Sequence, residues 1–139
     1  SQKNGIPFEN KKQLTTALYQ KLPFQLTSAQ KRVLREIFGD MCSEKQMSRL
    51  LQGDVGSGKT VVTLFAMLLA VENGFQAALM APTEILAEQH YHTISHLLEG
   101  FELQMILLKG GNYKGKIQSK EDISSGKAQI VIGTHALLQ

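Results

Sequence analysis

With 139 residues, 42% of them hydrophobic, the chain can bury one sizeable core, which points to a single domain or part of one. Its longest nearly apolar run, VVTLFAMLLAV at residues 61–71, falls short of the ~20 residues a membrane-spanning helix needs, so no transmembrane helix is expected. A formal net charge of +3 leans towards a polyanionic partner without deciding for one, and the lone Cys42 excludes an internal disulfide.

The N-terminal SQKNG lacks the charged-then-apolar pattern of a secretory signal, and a reducing cytoplasm is the expected setting. A start at Ser1 and an end at THALLQ suggest a segment of a longer protein. A first helix is predicted from about Lys11 to Leu22, with Leu14, Leu18 and Leu22 on one stripe and Pro23 as its stop. A second is predicted from a Thr27 cap, with Val33, Leu34, Ile37, Phe38 and Met41 facing inward. After a polar loop, short apolar runs alternate with helical stretches. RLLQ reads as a strand, followed by a glycine loop and a helix from Lys59 to Asn73 that Gly74 closes. AALMA reads as a strand leading through Pro82 and Thr83 into a helix that ends near Gly100. LQMILL leads to KGGNYKGK and a shorter helix reaching Ser125, and QIVIG is the last strand. Strict alternation of strand and helix predicts an α/β fold: a parallel sheet with helices on both faces.

The stretch GDVGSGKT, residues 53–60, fits G-x-x-x-x-G-K-[ST] and stands between a predicted strand and a predicted helix, the context that a phosphate-binding loop requires. Four such identities arise by chance on the order of once in a few hundred chains of this length. In such a loop the backbone of Gly53, Asp54, Val55, Gly56, Ser57 and Gly58 wraps a triphosphate at a helix N-terminus, where free N–H groups and the helix dipole suit phosphate oxygens. Lys59 adds a point charge for the terminal phosphates, and the Thr60 hydroxyl joins a magnesium shell. The expected cofactors are therefore ATP and Mg2+. Upstream, PFQLTSAQKRV supports two compatible readings. Thr27-x-x-Gln30 is a capping box, and Gln30 can also pair with the amino edge of adenine while Phe24 packs on the ring, which would select ATP over GTP.

The segments LPFQLTSAQKRVLREI, RLLQGDVGSGKTVVT, ALMAPTEILAEQH and IVIGTHALLQ, in this order and spacing, resemble the first part of the motor region of the RecG-type branched-DNA helicases of superfamily 2. The resemblance implies a RecA-like P-loop domain, here incomplete, with residues 1–22 as a helical lead-in and 23–139 as the N-terminal part of the first RecA-like domain. It implies a bacterial, cytoplasmic, nucleoid-associated motor on double-stranded DNA that remodels stalled forks and Holliday junctions in repair and recombination. Its partners are branched DNA and the rest of the same polypeptide, a second RecA-like domain and a wedge domain; a membrane is not among them. The transcription-repair coupling factor, a related translocase, shares GDVG and IGTH and is the alternative. Thr83, Lys109, Gly110, Gly111, Thr134 and His135 resemble the family's DNA-contacting motifs, and in a parallel sheet all of them fall on the carboxyl edge, together with the phosphate loop. Hydroxyls, a lysine and bare amides there suit contacts to phosphates that grip without reading sequence. Lys114, Lys116 and Lys120 read as a solvated charged loop.

Two clusters read as structure rather than chemistry. Glu88, His92 and His96 have a zinc-like spacing but share a stripe with Glu84 and Glu99, opposite Leu86, His90, Ile94, Leu97 and Leu98, and that stripe reads as a solvent face. Cys42 reads as an inert thiol at a loop or helix end. No apolar strand in the sequence ends in Asp-Glu, the pair such a motor needs to hold magnesium through water, so the family's motif is expected just beyond IGTHALLQ and this chain alone is expected to be inactive. A phosphate-loop kinase or a nucleotide-binding regulator would share the loop, but a kinase would place catalytic Asp or Arg residues downstream, and Arg32, Arg35 and Arg49 all precede it.

Overall fold

A helix that is apolar on every side must be surrounded, and the segment after Lys59 is such a helix. In the computed structural model, which describes residues 13–42 and 59–138, it becomes the centre of the molecule. Among the described residues, six helices and three strands follow one another, alternating from α3 onwards: α1 (Leu14–Lys21), α2 (Ser28–Met41), α3 (Lys59–Glu72), β1 (Ala77–Ala81), α4 (Glu84–Leu97), β2 (Met105–Leu107), α5 (Lys116–Ser124), β3 (Ile130–Thr134) and α6 (His135–Leu138). The predicted strand RLLQ and the glycine loop lie outside the described residues.

Helix α1 stops where predicted. Leu22, which precedes Pro23, is held at φ −56°, ψ 132°, the extended region that a following proline imposes. At its other end Gln13 offers no side-chain cap, and the Glu72 carboxylate at the end of α3 accepts from the Leu14 and Thr15 N–H groups instead, at 3.2 and 3.5 Å. One acid thus caps a neighbouring helix whose free amides favour it. Helix α2 opens on a reciprocal capping box: Thr27 Oγ1 accepts from the Gln30 N–H at 3.1 Å, and Gln30 Oε1 accepts from the Thr27 N–H at 2.8 Å. Its apolar stripe is narrower than predicted. Leu34 and Ile37 are buried, whereas Val33, at the rim, keeps 38% of its surface exposed.

Helix α3 is buried from Thr60 through Leu69 and closes on a Schellman turn: the Phe75 N–H reaches the Ala70 carbonyl and the Gly74 N–H the Val71 carbonyl, with Gly74 at φ 84°. That turn delivers the chain directly to β1. The three strands are all parallel, in the order β1-β3-β2, with Leu79 opposite Ile132 and Ile106 opposite Val131. One face of the sheet (Ala77, Leu79, Ala81, Ile130, Ile132) joins Leu18, Leu34, Leu64, Leu68 and Ile94 in the main core under α1 to α4. The opposite face (Ile106, Leu108, Val131) packs on Ala128 and against Ile123, Leu137 and Leu138 from α5 and α6. Helices therefore cover both faces, as parallel strands require.

Strand β2 is shorter than LQMILL suggested because its first residues serve a polar cluster. The Gln104 N–H donates to Gln129 Oε1 at 3.0 Å, and its side-chain amide donates to the buried Asp122 at 3.0 Å. Gln118 donates to the other Asp122 oxygen at 2.8 Å, tying α5 to the start of the sheet. No helix among the described residues is long and apolar enough to cross a membrane.

Candidate functional site

Because α3 runs antiparallel to the strand it feeds, its N-terminus lies at the carboxyl edge of the sheet. Lys59 is the first residue of that helix and its side chain is exposed; Thr60, the second, is 6% exposed. A cation and a hydroxyl at the N-terminus of a 14-residue helix form the donor set that a magnesium-bound triphosphate takes. Gly53, Asp54, Val55, Gly56, Ser57 and Gly58 lie outside the described residues. Phe24 is 45% exposed just before α2, and Gln30 spends one lone pair of its amide oxygen in the capping box. An amide oxygen has two lone pairs, so accepting in the capping box does not by itself exclude a base.

The remaining candidates come from the ends of all three strands. Thr83 follows β1 and caps α4, its Oγ1 accepting from the Leu86 N–H at 3.2 Å. Lys109, Gly110 and Gly111 follow Leu108, whose N–H is the last rung from β2 to β3, and all three are exposed. Thr134 ends β3 opposite Ala81, and His135 opens α6 with Nδ1 3.1 Å from the Met80 sulfur. Two cross-links join these loops. Gly110 donates its N–H to Glu84 Oε1 at 3.2 Å, and His135 meets Met80 of β1. The structure thus gathers Thr83, residues 109–111 and residues 134–135 on the one edge at which α3 also begins.

Lys116, set aside in the sequence as solvated charge, has a structural use: its ammonium donates to the Gly111 carbonyl. Sequence reasoning missed Glu84 in the same way, placing it on the solvent stripe; stripe position says nothing about a carboxylate reaching sideways to another loop. The rest of that stripe behaves as expected. Glu88, His92, His96 and Glu99 are exposed, and His96 and Glu99 lie 3.2 Å apart. On the opposite stripe His90 is 2% exposed, and burial lowers its pKa from the ordinary 6.5. Cys42 is a half-buried thiol just past the end of α2.

A parallel sheet covered on both faces, with a lysine-threonine helix start and three backbone-presenting loops on its carboxyl edge, defines an α/β domain of the RecA-like class. The chain belongs to the DEAD/DEAH box helicase family, whose model matches residues 27–139. It is 48% identical over 140 residues to the ATP-dependent DNA helicase RecG of Streptococcus pneumoniae, matching 99% of this chain and 20% of that protein. It is 48% identical to RecG of Thermotoga maritima, across 97% of this chain and 17% of that one, and 52% identical to RecG of Bacillus subtilis, across 85% and 17%. A solved structure described as RecG bound to a three-way DNA junction superposes with a TM-score of 0.85 at 48% identity, covering 98% of this chain and 19% of its own. The chain therefore spans about a fifth of the length of these relatives. Membership of a helicase family removes the small-molecule kinase reading of the glycine loop.

Proposed function

We propose that the chain is the ATP-binding front part of the first RecA-like domain of a RecG-type motor, a bacterial cytoplasmic enzyme that uses ATP hydrolysis to move on branched double-stranded DNA. Lys59 and Thr60 are its triphosphate and magnesium residues, together with the loop from Gly53 to Gly58. Bound magnesium would neutralise charge on the terminal phosphates; Thr60 would hold it and Lys59 would orient the phosphate chain. Gln30 and Phe24 select adenine. Thr83, Lys109, Gly110, Gly111, Thr134 and His135 hold the DNA backbone, and the remaining polypeptide supplies the second motor domain and the wedge. Residues 1–22 lead into the domain and 23–139 form its N-terminal part.

One observation carries this reading: the helix start with Lys59 and the loops after all three strands share one sheet edge, so nucleotide and DNA backbone can be held by a single rigid element. The test is ATP hydrolysis by the full-length protein with a three-way junction, with linear duplex of equal length, and without DNA. Stimulation greatest with the junction is expected. Equal rates in all three conditions would refute a branched-DNA motor.

A further inference from the structure

Apart from the half-buried Tyr113, the loop after β2 has little side chain to hold it in place. Lys109, Gly110, Gly111, Asn112, Lys114 and Gly115 are exposed, and Gly111 and Gly115 sit at positive φ, 74° and 88°. The course of residues 109–111 is therefore set largely by the bonds their backbone makes, because glycine-rich backbone is otherwise free to sample many conformations. Lys116 holds the Gly111 carbonyl from the α5 side. From the other side the Glu84 carboxylate takes the Gly110 N–H at 3.2 Å, and a Cβ on Gly110 would stand only 2.9 Å from that same oxygen. Glycine at 110 is what lets the carboxylate lie against the backbone. Glu84 is also the first residue of α4, where unbonded helix amides favour a negative charge.

The geometry points to Glu84 as a positioning residue for the DNA-backbone grip: its carboxylate fixes the loop at residues 109–111 to the turn after β1, so that Thr83, Lys109 and Gly111 meet successive phosphates at a set spacing. This rests on the function proposed above. Glu84 has the sign of the ligand's own charge and is not itself a DNA contact. Plain electrostatics assigns it the opposite effect, since an acid beside a phosphate chain repels it and its removal should tighten binding. The sign of the effect therefore separates the two.

The experiment uses the full-length protein and a fluorescent forked DNA, reading affinity, the DNA concentration that half-stimulates ATP hydrolysis, and turnover at saturating DNA. Glu84→Ala is expected to weaken DNA binding about fivefold, the loss of one typical hydrogen bond at an exposed position, and to raise the half-stimulating concentration to match. Saturated turnover and the dependence of affinity on salt stay as in the unaltered protein, because no phosphate contact is removed. Glu84→Gln is expected to bind like the unaltered protein, since its amide oxygen still accepts from the Gly110 N–H. Unchanged or tighter binding by Glu84→Ala, or a Glu84→Gln variant as weak as Glu84→Ala, overturns the positioning role. If the unaltered protein neither binds the fork nor responds to it, the proposed function falls and this inference with it; a normal response with an indifferent Glu84→Ala sinks the inference alone.

Discussion

At Gln30 one amide is asked to serve two partners. Its oxygen closes the capping box on the Thr27 N–H, and in the proposed function its amide also reads adenine. Gln30→Ala should therefore weaken ATP much more than a purine triphosphate lacking the 6-amino group, because a bidentate amide–adenine pair is worth ~1–3 kcal/mol of discrimination. Equilibrium binding of the two nucleotides measures the difference, and equal weakening would leave Gln30 with no part in the choice of base. His90 presents the simpler case of a buried base. Its folded pKa lies below the ordinary 6.5, so the unfolded chain takes up a proton that the folded one refuses. Stability from the neutral ring is complete above pH 6.5 and is lost progressively as pH falls towards the folded pKa. Neither ring nitrogen has a hydrogen-bond partner among the described residues, so His90→Leu should fold at neutral pH and show a flatter acid limb in thermal melts; an unchanged limb would remove His90 from the acid response. Both residues were legible in the sequence, Gln30 from Thr-x-x-Gln and His90 from its place among apolar residues on the wheel. Glu84 was not, because its partner lies 26 positions away in a loop whose course no periodicity reveals.

Elements followed the sequence where a local device fixes them and departed from it where partners decide. Pro23 ended α1, Thr83 opened α4 and Gly74 closed α3, each through a backbone preference or cap that acts within a few residues. The strand order was not readable: β3 inserts between β1 and β2, and alternating strand and helix is equally compatible with other orders. The shortening of β2 was hidden too, since Gln104 reads as an ordinary strand residue until Asp122 and Gln129 claim it. That cluster should carry measurable stability. Asp122 is 7% exposed and receives two side-chain amides, so Asp122→Ala leaves Gln104 and Gln118 without their acceptor and should cost about 1–3 kcal/mol in denaturant unfolding. Asp122→Asn, which keeps one acceptor oxygen, should cost less. An Ala variant as stable as the parent would show that the cluster does not set the β2 and α5 geometry.

For the molecule as a whole, the RecA-like class was legible because the glycine loop, the strand and helix alternation and the motif order agree, whereas the proximity of the three loop clusters required the folded sheet. The 139-residue sequence holds the glycine loop but no Asp-Glu pair, and an arginine finger of the kind a second motor domain would supply is by itself worth ~10³–10⁵ in rate. Residues 1–139 alone should therefore show no ATP turnover above background, with or without forked DNA; turnover that depends on Lys59 would place the magnesium carboxylate within this chain. The most direct measurement is made on the full-length protein with Lys59→Ala, following ATP hydrolysis and fork binding in the same preparation. Hydrolysis should vanish while DNA affinity stays within a few-fold of the unaltered protein, because in the proposed function Lys59 serves the phosphates of the nucleotide and other loops on the same edge serve those of the DNA. A folded Lys59→Ala variant that loses DNA binding as completely as hydrolysis would contradict the division of that edge between two ligands.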